Sequence, residues 1–207
     1  MILRRLAQRA LKTNILNSHF RYLSSTSTYS SGTLIDPTFN LTSDDKQLYA
    51  TALQFAINEM RPFMSEWDEK EHFPRDVVKK AGKLGFAGIY IPEVDGGSGL
   101  SRYETTLIFE ALSQGCISTA AMLSIHNMAT NMINTHGSKE LKKRLVPSLC
   151  SFEKMASYCL TEPSSGSDAS ALSTTAVRKG DYYVGRKDDL LYIDFFSMFV
   201  ICFFVCL

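Results

Sequence analysis

The chain has 207 residues, a net charge of +1, 45% hydrophobic and 21% charged residues, a balance ordinary for a soluble globular protein of one or two domains. Its basic charge is front-loaded: Arg4, Arg5, Arg9, Lys12 and Arg21 meet no acid until Asp36, and the mildly acidic remainder argues against nucleic-acid binding. Five cysteines without a C-x-x-C pair, and four scattered histidines (His19, His72, His126 and His136), point to a reducing compartment and offer no metal-ligand spacing.

Residues 1–31 are basic, acid-free and rich in Ser and Thr, with Ile2, Leu3, Leu6, Ala10 and Leu11 at roughly helical spacing beside Arg5, Arg9 and Lys12. That is the pattern of a mitochondrial transit peptide; a secretory signal needs an apolar run that Arg4, Arg5, Gln8 and Arg9 interrupt. Processing is expected near Arg21-Tyr22-Leu23-Ser24, and the alternative is a disordered basic tail. Ordered structure is expected from Asp36-Pro37 onward.

A helical domain is expected over 36–153. Thr42 and Asp45 form an N-terminal capping pair, and Leu48, Ala52, Phe55, Ala56, Met60 and Phe63 recur at helical spacing as a core face. Pro62 predicts a kink or an end near Arg61, with Met64 and Trp67 packing in a continuation. Pro74 opens a second helix that buries Val77, Val78, Ala81 and Leu84 and stops at Gly85. An apolar segment, Phe86 to Val94, then ends in a loop rich in glycine, Gly96-Gly97-Ser98-Gly99; it lacks the G-x-G-x-x-G spacing of a dinucleotide site and reads as a surface turn or a pocket wall.

Ser101 and Glu104 make another capping pair before a helix with Leu107, Ile108, Ala111 and Leu112 on one face. From Ile117 to His136 a further helix carries Ala121, Met122, Ile125, Met128, Ala129, Met132 and Ile133, and this broad apolar circumference predicts a central position in the bundle. Ser138 caps the next helix, with Lys139, Glu140, Lys142, Lys143 and Arg144 on a solvated face, Leu141, Leu145 and Val146 buried, and Pro147 closing it.

The period then changes. Met155 to Leu160 reads as a strand, Ala171 to Val177 as a second extended segment, and Lys179-Gly180-Asp181 as a turn into Tyr182-Tyr183-Val184, so 154–185 reads as the start of a β domain. The overall fold class is α+β. Residues 186–207 form a divergent apolar tail, whose uninterrupted run from Met198 to Leu207 is half the ~20 residues of a membrane-spanning helix.

Between the first two β segments stands Tyr158-Cys159-Leu160-Thr161-Glu162-Pro163-Ser164-Ser165-Gly166-Ser167-Asp168. Pro163 fixes its φ and removes a donor, Gly166 permits unusual backbone geometry, and the hydroxyl and N–H groups around them suit a planar, acceptor-rich ring. This stretch resembles the flavin-binding signature of the acyl-CoA dehydrogenases, in which a strand runs into Thr-Glu-Pro, two small residues and Gly-Ser-Asp. Gly85 to Ser101, Ile108 to Leu112 and Ser124 to Met128 resemble the branch of that family that acts on isobutyryl-CoA in mitochondrial valine breakdown.

The resemblance covers about 35–185. It implies an N-terminal helical domain, a middle β-barrel and a C-terminal helical bundle, with FAD as cofactor and assembly as a homotetramer. It implies an acyl-CoA substrate, electron-transfer flavoprotein as electron acceptor, and a location in the mitochondrial matrix. Carried over by position, Tyr158, Cys159, Leu160, Thr161, Glu162, Pro163, Ser164, Ser165, Gly166 and Ser167 would line the flavin, Thr161 hydrogen-bonding the ring and Ser167 also touching the acyl-CoA. Ser164 stands where relatives commonly have Gly, and a positive φ there would disfavour it.

The implied reaction removes two hydrogens across the α and β carbons of the thioester, with a glutamate of the C-terminal domain as base. This chain is expected to end before that domain, so no residue here is assigned as catalytic, and Glu162 is read as a structural hydrogen-bond partner. Competence of this chain as an enzyme is therefore not expected. The alternatives are a non-catalytic helical interaction module that associates with full-length subunits, and a tail-anchored membrane protein.

Overall fold

A computed structural model describes residues 38–157, 161–168, 170–171, 173–186 and 199–200. The expected transit peptide, the start at Asp36-Pro37 and most of the 186–207 tail lie outside the described residues. The chain divides into two compact units, one ending at Glu153 and the other beginning at Lys154.

In the first unit, α1 (Ser43–Phe55) starts where the capping pair predicts, with the Thr42 hydroxyl accepting from Asp45 N–H at 3.2 Å. Leu48, Tyr49, Ala52, Phe55, Ala56 and Met60 are buried along one face. Pro62 has no N–H and its ring would crowd the carbonyl four residues back. The helix widens before it into a π turn, Ala56–Met60, in which Arg61 N–H donates to Ala56 O at 2.9 Å.

That widening has a consequence for packing. A π turn inserts one residue into the helical phase, so side chains extrapolated from the α period emerge on the wrong face. Phe63 and Met64, expected in the core, are 45% and 44% exposed. Phe63 stacks instead on Trp67 of α2 (Met64–Glu69), with ring centroids 6.0 Å apart. A Cβ at Gly115 would lie 2.5 Å from Ala56 O, so only glycine lets the turn at 114–116 approach this widened backbone.

The helix α3 (Arg75–Lys83) follows Pro74, buries Val78, Ala81 and Gly82, and ends at Gly85 with φ 87°. Val77 and Leu84 are half-buried. The segment from Phe86 to Leu100 folds as successive turns with one 3-10 turn at Glu93–Asp95. It is nonetheless core, with Phe86, Ala87, Ile89 and Ile91 at most 2% exposed. Two of its glycines are required by close approach: a Cβ at Gly97 would lie 2.2 Å from Ile91 O, and one at Gly88 2.5 Å from Cys150 Sγ.

The helix α4 (Arg102–Ser113) opens with a complete capping box. Ser101 Oγ accepts from Glu104 N–H, and Glu104 Oε2 accepts from Ser101 N–H at 2.8 Å. Leu107, Ile108, Ala111 and Leu112 are buried, packing α4 between α1 and α5 (Ile117–His136). The predicted bounds of α5 hold, but its buried stripe differs from the expected one. Thr119, Ala120, Leu123, His126, Asn127, Ala129, Thr130 and Ile133 face inward, whereas Ala121 is exposed and Met128 is 45% exposed.

Polar residues can occupy that stripe because each has a partner. Asn127 accepts from Ile89 N–H at 2.8 Å and donates to Phe86 O and Leu123 O at 2.8 and 2.9 Å, stapling the 86–91 segment to α5. His126 Nε2 donates to Leu149 O at 3.1 Å, and its ring stacks on Phe152 at 4.3 Å between centroids. The Thr130 hydroxyl donates back to His126 O at 2.8 Å.

The helix α6 (Lys139–Cys150) packs against α5 and begins at Ser138, whose hydroxyl accepts from Leu141 N–H. It runs through Pro147, where the sequence predicted a stop, and buries Val146, Leu149 and Cys150. Pro147 is tolerated because the carbonyl deprived of its partner belongs to exposed Lys143, where water can serve. The buried residues on either side of Pro147 then hold the last turn in place.

In the second unit, β1 (Ala156–Ser157) pairs in parallel with β4 (Phe199–Val200), and β2 (Thr175–Lys179) pairs antiparallel with β3 (Tyr182–Arg186), Val177 opposite Val184. The β2–β3 connection is the predicted turn: Lys179 pairs with Tyr182, and Gly180 at φ 62° takes the first central position. Among the described residues no helix is long and apolar enough to cross a membrane.

Candidate functional site

The stretch 161–168 closes on itself. Glu162 N–H donates to Ser165 O at 2.9 Å and Ser165 N–H to Glu162 O at 3.0 Å, leaving Pro163 and Ser164 at the tip of a tight turn. Proline presets the first of those positions. Ser164 is unstrained in the second: among the described residues, left-handed backbone outside glycine occurs at Asn40, Glu71 and Phe152. A serine in place of glycine thus fits this turn.

Glu162 and Ser165 point inward, 3% and 2% exposed. The Glu162 carboxylate is held by four donors from two consecutive residues just before β2. Its Oε2 accepts from Ser173 N–H at 2.6 Å and from the Ser173 hydroxyl at 2.8 Å; its Oε1 accepts from Thr174 N–H at 3.0 Å and from the Thr174 hydroxyl. These bonds, the Thr174 hydroxyl foremost and then Ser173 N–H, outweigh desolvation and lower the carboxyl to about 2.

Asp168 forms a second tether. Its Oδ1 accepts from the Ser170 hydroxyl and from Ser170 N–H at 3.1 Å, while its backbone carbonyl accepts from the Ser165 hydroxyl and from Ala171 N–H at 3.2 Å. The Ser170 hydroxyl, then its N–H, hold the Asp168 carboxyl below the usual range. Both acids of the loop are therefore ionised acceptors with their donors supplied internally.

The remaining loop residues are left for something else. Thr161 is half-buried, Pro163, Ser164, Gly166 and Ser167 are exposed, and Thr161, Ser164, Gly166 and Ser167 form no hydrogen bond among the described residues. A Cβ at Gly166 would meet no atom within 4 Å, and its backbone is not left-handed. Nothing within the described residues demands glycine there, so the open approach to its backbone is the feature that a large residue would remove. Tyr158, Cys159 and Leu160 lie outside the described residues.

Three residues that hold this loop, Ser170, Ser173 and Thr174, were not singled out from sequence. Their signal was present as hydroxyl residues directly after the motif, but Thr174 read as a β-branched strand former rather than as a donor. In the first unit, Val94, Asp95 and Gly96, where the glycine-rich loop begins, line a cavity of about 480 Å³ with Lys139, Lys142 and Lys143 of α6. Among the described residues, no three His, Cys, Asp or Glu side chains come together as a metal site.

Residues 42–153 match the family model for the acyl-CoA dehydrogenase N-terminal domain. The chain is 53% identical over 150 residues to a mitochondrial isobutyryl-CoA dehydrogenase of Bos taurus and 52% identical over 149 residues to that of Dictyostelium discoideum. Each alignment covers 72% of this chain and 36% of the relative, so the chain spans about a third of their length. Among solved structures, a glutaryl-CoA dehydrogenase from Mycobacterium smegmatis in complex with FADH2 superposes with a TM-score of 0.69 at 25% identity, covering 73% of this chain and 39% of that one. A structure described as the electron transferring flavoprotein of Acidaminococcus fermentans matches with a TM-score of 0.66 at 36% identity, covering 71% and 39%. With the capped helices, the stapled 86–100 segment and the Thr-Glu-Pro turn in place, the chain belongs to the acyl-CoA dehydrogenase family.

Proposed function

We propose that this chain carries the flavin-loop part of an FAD-dependent enzyme of the mitochondrial matrix that dehydrogenates a short branched-chain acyl-CoA, isobutyryl-CoA or a close analogue, across its α and β carbons in valine breakdown. The observation that carries the reading is the division of labour in 161–168. Glu162 and Ser165 are buried and bonded within the unit and exposed Asp168 closes on Ser170, while Thr161, Ser164, Gly166 and Ser167 keep N–H and hydroxyl groups that are unbonded among the described residues. Such an edge fits the nitrogen and carbonyl acceptors of an isoalloxazine ring. FAD, when bound, supplies the acceptor for the hydride leaving the β carbon.

On this reading, Thr161 donates to the ring and Ser167 serves both the cofactor and the acyl-CoA. Tyr158, Cys159 and Leu160 complete the lining. A general base works best with a pKa near the operating pH. Glu162, lowered to about 2, and Asp168, also lowered, are unsuited to taking the α proton. The base assignment stays with the glutamate implied by the family, as do electron-transfer flavoprotein as acceptor and assembly as a homotetramer.

The test is titration of FAD into the purified chain, read by flavin fluorescence and visible absorbance, beside Thr161→Val and Ser167→Ala. Saturable binding by the parent, weakened in both variants, is expected; no binding, or equal binding by all three, refutes the reading. A second reading, a helical module that associates with full-length subunits, is favoured by the apolar surface of α5, where Ile117 is 74% and Met128 45% exposed. Co-purification with a full-length family subunit that is lost in Met128→Lys distinguishes it.

A further inference from the structure

The turn at 162–165 is built from residues adjacent in sequence, and its two backbone bonds fix its shape but not its attachment. The attachment comes from Glu162. Each of its oxygens takes the N–H and the hydroxyl of one residue, Ser173 on Oε2 and Thr174 on Oε1. Thr174 directly precedes β2, which is registered to β3 over five pairs from Thr175–Arg186 to Lys179–Tyr182. The carboxylate therefore ties the start of the loop to the root of a hairpin eleven and twelve residues later.

All four partners are neutral donors, and the chemistry requires an acceptor with no proton of its own. A glutamine would keep the shape but turn an NH₂ toward an N–H and a hydroxyl; the hydroxyl can rotate to accept from it, but the N–H is left facing a donor. The Ser165–Asp168–Ser170 bonds add a second closure inside the first. Between these anchors lie Ser164, Gly166 and Ser167, and beside the outer one lies Thr161.

We propose that Ser173 and Thr174 are positioning residues for the flavin-facing edge of the loop, acting through the Glu162 carboxylate to which their N–H and hydroxyl groups donate. This rests on the flavin reading given above. Neither residue belongs to the Thr-Glu-Pro motif, and neither touches the cofactor in this assignment. Their hydroxyls are the specific requirement, because the backbone N–H groups remain in any substitution.

The experiment uses the full chain and three variants, Thr174→Val, Thr174→Ser and Glu162→Gln, with far-UV circular dichroism confirming the helical unit in each. Amide hydrogen exchange without FAD reads the loop itself. The N–H groups of residues 162 and 165, twelve and nine residues from position 174, are expected to exchange about tenfold faster in Thr174→Val and at the parental rate in Thr174→Ser, as for loss and retention of one charge-assisted hydrogen bond, and the Ser165 N–H is expected to exchange faster in Glu162→Gln as well. FAD titration is expected to show the same order, a dissociation constant raised about tenfold in Thr174→Val and restored by Thr174→Ser. Parental exchange at Glu162 and Ser165 in Thr174→Val overturns the proposal, as does equal weakening in Thr174→Val and Thr174→Ser. If the parent takes up no FAD, the flavin reading fails while the exchange data still decide the positioning role. If Thr174→Val does not fold, Ser173→Ala, which removes only the hydroxyl on Oε2, carries the same two outcomes.

Discussion

Asn127→Ala gives the most direct test of how the helical unit holds its turn-rich segment. The side chain is 1% exposed and makes three hydrogen bonds, two of them to backbone groups outside its own helix. Truncation orphans Ile89 N–H and Phe86 C=O, in residues that are 0% and 2% exposed, whereas Leu123 O keeps its place in the helix. Each buried orphan costs about 1–3 kcal/mol, so the pair gives about 2–6 kcal/mol, a large share of the ~5–15 kcal/mol stability of a domain. The same helix supplies the control. Asn134 Oδ1 is buried with no partner among the described residues, so Asn134→Ala removes a group that is already unsatisfied there and should change stability by no more than about 0.5 kcal/mol, or raise it. Urea unfolding followed by far-UV circular dichroism measures both. A loss below about 1 kcal/mol in Asn127→Ala, or comparable losses in the two variants, would refute the staple.

Glu162 is lowered from 4.5 to about 2, so its stabilising contribution is complete above pH 4.5 and disappears as the pH falls from there through 2. The Ser173 and Thr174 amide proton shifts should titrate with a midpoint near 2, and a midpoint near 4.5 would show that the four bonds do not form. Pro147→Ala restores a helical N–H opposite Lys143 O in an exposed position of α6 and should raise stability by about 1 kcal/mol in the same urea assay; a loss would mean that the proline shapes the last turn. Burial pushes the Cys150 thiol up to about 11, with the Asp95 charge adding to it. Iodoacetamide at pH 8 should therefore label half-buried Cys116 well before Cys150, as read by peptide mass spectrometry, and the reverse order would place Cys150 at the surface.

The helical unit was legible because its signals are local. The caps at Thr42, Ser101 and Ser138 and the period of Leu107, Ile108, Ala111 and Leu112 each depend on residues within two turns of one another. The misreadings fall where a side chain's place is set by something the local period does not carry. The hydropathy pattern gave Asn127 and His126 no place in the core, whereas Ile89 N–H and Leu149 O, 38 and 23 residues away, draw them in. Met128 looked like core on hydropathy and was displaced from it by that polar stripe. Phe63 was misplaced by a π turn that Pro62 announces but whose phase shift period counting ignores. In the loop, the motif was visible, yet its support was not, because Ser173 and Thr174 matter only once the chain has turned back toward Glu162.

That support also narrows the chemistry. A carboxylate in a loop proposed to hold a flavin invites assignment as the base that takes the α proton, and proximity in sequence favours Glu162 and Asp168 equally. Proton abstraction needs a carboxylate whose charge becomes less stable as substrate enters, so that gaining a proton is near thermoneutral. Four neutral donors on Glu162 and the Ser170 donors on Asp168 act in the opposite sense, fixing both charges before any ligand arrives. The same bonds that make these acids poor bases make them good anchors, since an anchor must not titrate in the working range. With Glu162 buried and bonded within its own unit, the hydroxyl and N–H groups of Thr161, Ser164, Gly166 and Ser167 are the neutral donors left over, and donors of that kind suit carbonyl and nitrogen acceptors such as those of a flavin ring.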